Sequence, residues 1–252
     1  MHPFPGQPCT YPDSLVGQAG YHMGDMACSI GQHTWNAAVW SAHAATHAAA
    51  LVLEGERATY ALCRPPGHHA YADRANGFTY LNNAAIAAQY LRRQHPRVAI
   101  LDVDVHHGNG TQGIFWRRSD VLTLSLHGDP HFCTPFFTGH AHERGEGEGL
   151  GYNLNYPLAR GTGTDDYLHA LARACQAIRD FQPGALVVAL GLDAHERDPY
   201  KALAVSTEGF ARITGEIARL GLPTVFVQEG GYLSPDLPLN LASALRGFEA
   251  VA

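Results

Sequence analysis

Two carboxylates, two imidazoles and an asparagine crowd into Asp102-Val-Asp104-Val-His106-His107-Gly-Asn109-Gly110, directly after the apolar run Val98 to Leu101. Ionised groups at the end of a buried strand persist when they are paired, hydrogen-bonded or holding a metal. Asp104 and His106 are two apart, so in extended chain they leave the same face and can meet on one ion. Asp193, in Gly191-Leu-Asp-Ala-His195, completes the three-ligand set of a catalytic zinc, which keeps a position open for water or substrate. Two carboxylates in such a set cancel the charge of the ion and weaken it as a Lewis acid, so acid–base groups have to assist. His68 and His69 of Arg64-Pro-Pro-Gly-His-His69 suit that work. One imidazole accepts a proton from the attacking water and returns it to the leaving group, while the other is an electrostatic partner. Asp102 and Asn109 are placed to orient the two rings. Tyr232, in Glu229-Gly-Gly-Tyr232, can donate a hydrogen bond to the oxyanion of a tetrahedral intermediate. The chemistry that fits is metal-assisted hydrolysis of an amide or ester.

Each group also has a plainer reading. The histidine pair could be a structural loop residue and its exposed neighbour, Asp193 could cap a helix, and Tyr232 could pack beneath a turn. His195 reads as a rim residue beside a ligand. The elements that must position these groups decide the matter. The pattern predicts irregular chain over residues 1–30 and an Ala-rich helix from His33 to Leu53, carrying Trp35, Val39, Trp40, Leu51 and Val52, that packs on the sheet. Strands are expected at Arg57–Cys63, Val98–Val103, Val121–Leu126, Ala185–Leu190 and Thr224–Val227. Helices are expected at Asn83–Arg93 with Asn82 as cap, at Thr111–Trp116, from a Thr164 cap to Phe181, from Ser206 or Thr207 to Leu220, and at the carboxyl end. Residues 127–162 read as a long functional loop. Strands alternating with helices argue for a parallel sheet covered on both faces. His68/His69, Asp104/His106, His127, Asp193 and Tyr232 all follow strands, and parallel strands deliver those ends to one edge. Five independent segments converging on one crevice outweigh the plainer readings.

The 252 residues suit one large α/β domain. A net charge of −6 and the absence of any Lys/Arg block argue against direct nucleic-acid binding. The five scattered cysteines, Cys9, Cys28, Cys63, Cys133 and Cys175, fit a reducing compartment. No leader pattern and no apolar run of bilayer length occur, so a cytoplasmic protein without membrane association is expected.

The motif Leu101-Asp-Val-Asp-Val-His-His-Gly-Asn-Gly-Thr-Gln112, together with the His68–His69 loop, Asp193-x-x-x-x-Asp198-Pro199 and Glu229-Gly-Gly-Tyr232, resembles the zinc-dependent histone deacetylase superfamily. More narrowly, Gly20-Tyr21, Leu126-His-Gly-Asp-Pro130, Pro135-Phe-Phe-x-Gly139 and Asn153-Leu-Asn-Tyr-Pro157 are similar to its bacterial acetylpolyamine amidohydrolase branch. The resemblance implies an arginase/deacetylase-like, three-layer α/β/α domain over residues 1–252 that lacks the first strand of the family fold. It implies zinc on Asp104, His106 and Asp193, His69 as general base and acid, His68 as electrostatic partner, and Tyr232 polarising the acetyl carbonyl. It adds a potassium ion on the Asp102 and Asp104 carboxylates, the carbonyls of Asp104, His106 and Leu126, and the Ser125 hydroxyl. Phe78 and Phe136 or Phe137 would wall the substrate channel. Tyr200 stands where polyamine-selective relatives place an acidic gatekeeper, so Glu143, Glu146 and Glu148 are left to attract a cationic substrate. Arg118 occupies a position lining the family's second monovalent-cation site, which is therefore not expected. A homodimer built through residues 127–162 is a further implication.

The expected activity is removal of acetyl groups from small N-acetylated amines such as acetylpolyamines, with acetyl-lysine as a further substrate. A deacetylase-family esterase, a protein lysine deacetylase and a catalytically impaired zinc-containing binding protein are the alternatives. An arginase-type ureohydrolase needs a second metal and bridging aspartates, against which His107 argues.

Overall fold

The computed structural model describes residues 10–252; Cys9 and the rest of residues 1–9 lie outside the described residues. Six strands, β1 Ala58–Ala61, β2 Val98–Asp102, β3 Val121–Gly128, β4 Asn153–Leu158, β5 Ala185–Leu190 and β6 Thr224–Gln228, form one sheet. The order is β1-β6-β5-β2-β3-β4, and every neighbouring pair is parallel. Among the described residues there are seven helices: α1 Leu15–Tyr21, α2 Thr34–Leu53, α3 Asn83–Leu91, α4 Asn109–Phe115, α5 Thr164–Phe181, α6 Thr207–Ala218 and α7 Leu237–Glu249.

Alternation along the buried strands produces the three layers. Ala99 and Leu101 of β2, with Leu186, Val188 and Leu190 of β5, pack against α5, α6 and α7 through Tyr167, Leu171, Ile178, Phe210, Ile213 and Phe248. Val98 and Ile100, with Ala185, Val187 and Ala189, face α2 and α3 through small side chains, among them Ala45, Ala48, Ala49, Ala84, Ala87 and Ala88. Strands buried on both faces read as continuous apolar runs, which is why β2 and β5 were plain in the sequence.

The sequence of connections reverses between β2 and β5. From β2 the chain adds strands outward through β3 and β4, then returns to lay β5 on the other side of β2. A crevice opens at such a switch point, outside the carboxyl ends of the strands. The loops carrying Asp104/His106 and Asp193 leave from these two strands, which are in register at Asp102 and Ala189.

Several expectations need correction. Residues 15–21 form a helix, α1, capped by the Ser14 side chain accepting from Gly17 N. Thr164 is the first residue of α5 and not its cap; Gly163 holds that position, and the Thr164 hydroxyl instead accepts from Ser206 N at 3.2 Å. α2 packs on the sheet as expected, through Ala45, Ala48, Ala49 and Val52, while Trp35 and Trp40 are 66% and 73% exposed. The 127–162 stretch contains an edge strand, β4, and a 3-10 turn at Gly147–Gly149. β4 is not expected from the pattern because it carries Asn153 and Asn155, only 3% and 7% exposed, at buried positions. Each donates through Nδ2 to Gln112 Oε1, at 2.8 and 2.9 Å. A buried polar face hides the apolar alternation by which strands are recognised. The expected cap of α3 stands: Asn82 Oδ1 accepts from Ala85 N at 2.9 Å.

Candidate functional site

After Asp102 the β2 chain breaks into a tight loop held by carboxylate-to-amide bonds. Asp102 Oδ1 accepts from Asp104 N at 3.1 Å, and Asp104 Oδ1 accepts from His106 N at 2.8 Å. Across the switch point, Asp193 Oδ1 accepts from Val105 N at 2.9 Å, and Gly230 N donates to Asp104 Oδ2 at 2.7 Å. The result places His106 Nδ1 3.1 Å from both Asp104 Oδ1 and Asp193 Oδ2.

Ligand atoms of Asp104, His106 and Asp193 lie within 4.8 Å of one another, and all three residues are buried. Two buried carboxylates thus face a single imidazole. Burial and the neighbouring Asp104 push the Asp193 carboxyl upward, while His106, despite burial, is raised by hydrogen bonds to Asp104 and Asp193. Such an arrangement calls for positive charge, and an Asp/His/Asp donor set suits a divalent cation. The backbone is shaped to the carboxylates: a Cβ at Gly230 would meet Asp193 Oδ2 at 2.3 Å and Asp104 Oδ2 at 2.5 Å.

The histidine pair stands on the loop after β1. Its rings are 4.0 Å apart between centroids, and His69 lies 6.0 Å from the His106 ring. His68 Nδ1 bonds Asp102 Oδ2 at 2.9 Å; His69 Nδ1 bonds Asn109 Oδ1 at 2.7 Å. A carboxylate partner and an amide partner have different consequences. Burial alone would lower His68, but Asp102 and Asp104 outweigh it and raise the imidazole to about 10. His69, buried and facing the charges of His68 and His106, is held well below its usual range. One ring is cationic and the other neutral, and with Nδ1 donating to Asn109 the Nε2 lone pair of His69 is free.

Tyr232 follows two glycines at the end of β6. Its ring is 6.4 Å from His106 and nearly perpendicular to it. Tyr200 stands 4.9 Å from His106 and 4.7 Å from Tyr232. Burial, then Asp193 and Asp104, raise the Tyr232 phenol far above its usual value, so it is a proton donor at neutral pH.

The other expected residues have varied surroundings. Phe78, 44% exposed, adopts a left-handed φ of 67° directly after Gly77, whose own Cβ would strike the His69 ring at 2.3 Å. Phe136 and Phe137 are 50% and 89% exposed on the 127–162 stretch, and among the described residues neither has a ring contact with the histidine–tyrosine cluster. His127 is not in the crevice: it is fully buried, with Nδ1 bonded to Ser125 Oγ at 2.8 Å and Nε2 to Gly139 O at 2.8 Å. His195 is no rim residue but is buried, with Nε2 3.2 Å from Thr207 Oγ1. Glu143 and Glu146 are engaged and do not form a free acidic lure. Glu143 Oε2 accepts from Gln112 Nε2 at 2.7 Å and Gly139 N at 2.9 Å, and Glu146 pairs with Arg117 at 3.0 Å.

Glu229 is a residue whose part spacing did not disclose. Its Oε2 accepts from Gly67 N at 2.6 Å and His68 N at 3.0 Å, fastening the histidine loop to the end of β6, while its buried Oε1 has no partner. Burial pushes its carboxyl up to about 7, with His68 pulling it down and Asp102 adding to the rise. A folded-state value above the ordinary 4.5 means that the fold holds this proton more tightly than the unfolded chain does. The group's contribution to stability is therefore complete below about 4.5 and is lost as pH rises through about 7. Glu229→Gln, which keeps the shape and removes the titration, is expected to flatten the pH dependence in that window. Urea midpoints of chelator-treated protein at pH 4.5 and 7.5 check this; an unchanged slope would refute it.

The histone deacetylase domain pattern matches residues 9–248 of the chain. Over 237 residues the chain is 52% identical to the acetylpolyamine amidohydrolase of Burkholderia pseudomallei, spanning 94% of this chain and 70% of that protein. It is 48% identical over 242 residues to acetylpolyamine amidohydrolase 1 of Pseudomonas aeruginosa, spanning 96% of this chain and 70% of that one. The crystal structure of the Burkholderia pseudomallei acetylpolyamine aminohydrolase superposes with a TM-score of 0.92, covering 94% of this chain and 69% of that chain.

Proposed function

Since the chain belongs to the histone deacetylase family and is a deacetylase of its acetylpolyamine amidohydrolase branch, we propose that it hydrolyses the amide bond of small N-acetylated amines, acetylpolyamines first and acetyl-lysine second, with zinc as its metal. The observation that carries this reading is the convergence of Asp104, His106 and Asp193 beside one cationic and one neutral imidazole. Bound there, a zinc ion supplies Lewis-acid polarisation of the acyl oxygen.

The chain's own residues do the rest. His69 Nε2 accepts a proton from the water that attacks the acetyl carbon, then delivers it to the departing amine nitrogen, so acetate and free amine leave. His68, held cationic by Asp102, stabilises negative charge that develops beside it. Asn109 fixes the His69 tautomer. The Tyr232 hydroxyl donates to the acyl oxygen as it gains charge.

The same reading places a potassium ion on Asp102, Asp104, His106, Ser125 and Leu126, supported by the density of buried carboxylate at Asp102, Asp104 and Asp193. Phe78, Phe136, Phe137 and Tyr200 are its channel residues, and the exposure of Phe136, Phe137 and Leu150 supports a homodimer through the 127–162 stretch. The free, buried thiols of Cys28, Cys63, Cys133 and Cys175 support a cytoplasmic location. Among the described residues no helix is long and apolar enough to cross a membrane.

Acetate release from N-acetylputrescine and from an acetyl-lysine peptide, measured in parallel on zinc-loaded protein, tests the proposal. Faster release from the small amine is expected, and Tyr232→Phe should slow it by roughly 10²- to 10³-fold, as loss of an oxyanion donor does. Preference for the peptide moves the assignment to lysine deacetylation. No release from either by folded, zinc-bound protein sinks both.

A further inference from the structure

We propose that Asp198 is a positioning residue for this reaction, a buried carboxylate that sets the orientation of Tyr232 and couples it to Tyr200. The proposal rests on the reading of Tyr232 as the donor to the acyl oxygen. Asp198 is 2% exposed and lies in the loop after β5, five residues beyond Asp193. Its two oxygens have separate tasks: Oδ1 accepts from Tyr200 N at 2.9 Å, and Oδ2 accepts from Tyr232 N at 3.1 Å. No Lys or Arg among the described residues forms an ion pair with it, and the adjacent Arg197 is turned to Asp236 at 2.5 Å.

A carboxylate in a buried place without a cation needs a reason. The geometry supplies one. Two N–H donors from different loops approach opposite oxygens, and an ionised carboxylate is the side chain that accepts at both. An asparagine offers one acceptor and turns a donor toward the other amide. The loop carrying Asp198 is itself fixed, with Asp198 N donating to His195 O and Lys201 N donating to Asp198 O, each at 3.0 Å.

Tyr232 needs such an anchor because Gly230 and Gly231 precede it. Gly231 has a φ of 125°, a conformation that glycine adopts without strain but that leaves the following residue poorly restrained. The Gly230 amide is held by Asp104 Oδ2 and its carbonyl by Leu192 N and Gln228 Nε2, each at 3.0 Å; beyond Gly231, Asp198 Oδ2 holds the Tyr232 amide itself. Through its other oxygen the same carboxylate holds Tyr200, whose ring packs on Tyr232 and on the edge of His106. One side chain therefore fixes both tyrosines against a metal-site histidine.

The test is a double-mutant cycle on zinc-loaded enzyme with N-acetylputrescine, using Asp198→Asn, Tyr232→Phe and the pair. Asp198→Ala is the harsher variant, and metal content and unfolding midpoint are measured on all. Asp198→Asn should lower kcat by roughly tenfold and leave KM and zinc stoichiometry in place, and Asp198→Ala should lower kcat further, the amide rescuing part of the loss. In the Tyr232→Phe background, Asp198→Asn should change kcat by less than about threefold, because the group it positions has already lost its hydroxyl. A slow Tyr232→Phe enzyme with multiplicative losses in the double variant overturns the proposal alone, as does a fall in zinc content that accounts for the rate. An undiminished Tyr232→Phe enzyme overturns the reading of Tyr232 and the proposal together.

Discussion

Replacing Asp193 by asparagine should lower acetate release on the order of 10³-fold and strip the protein of tightly held metal, while the metal-free fold becomes more resistant to urea. The two halves of this expectation come from the same geometry. Asp193 Oδ2 is one of three converging donor atoms, and Lewis-acid assistance is worth several kcal/mol of barrier at about 1.4 kcal/mol per tenfold. In the absence of the ion, however, the buried Asp193 and Asp104 carboxylates repel each other across one imidazole. The isosteric amide removes that repulsion and keeps an oxygen for Val105 N. Elemental analysis, acetate release and urea midpoints of chelated protein measure the three quantities. A variant that binds metal as tightly as the parent would remove Asp193 from the ligand set.

The second large effect belongs to His69. His69→Gln should retain metal and fold yet release acetate some 10²- to 10⁴-fold more slowly, the range set by loss of a positioned general base. The choice of His69 over its neighbour follows from the partners: Asn109 holds His69 neutral with Nε2 free, whereas Asp102 commits the His68 ring to its charged form. His68→Gln is expected to cost less, since it removes a charge and not a proton carrier. If the two variants rank the other way, the roles are exchanged.

Much of the site was legible in the chain itself. Asp104 and His106 are two residues apart on the extension of a strand, His68 and His69 stand on the loop that follows a strand, and each of these local statements translates into position through the rule that parallel strands end together. That Asp102 and Asn109 orient the two rings also followed from chemistry, because buried ring nitrogens need partners, whereas which partner takes which ring is seen only in the structure. What remained hidden was of a different physical kind. Asp198 and Glu229 act on backbone amides of other loops, and an amide has no side-chain signature to read. His127 departs from expectation because β3 runs on through Gly128, so the residue belongs to the strand and its ring is buried against Ser125 and Gly139. The β4 strand was lost because a polar network, Gln112 with Asn153 and Asn155, occupies the face where apolar residues were sought.

The two faces of the sheet are built from different materials, and this sets how the protein can drift. On the α5–α7 side the contacts are Tyr167, Leu171, Ile178, Phe210 and Phe248. On the α2–α3 side they are mostly alanines, with α2 and α3 also packed against each other. A helix seated by alanines lies close to its sheet and has no slack, so adding a methylene there meets a wall, and substitutions that enlarge are the damaging ones. A helix seated by large side chains tolerates exchange among them and suffers from truncation. Random libraries of this chain should accordingly accumulate opposite kinds of change in its two layers: Leu, Met and Phe trading places behind α5, α6 and α7, and almost nothing but Gly, Ser and Cys entering beneath α2 and α3.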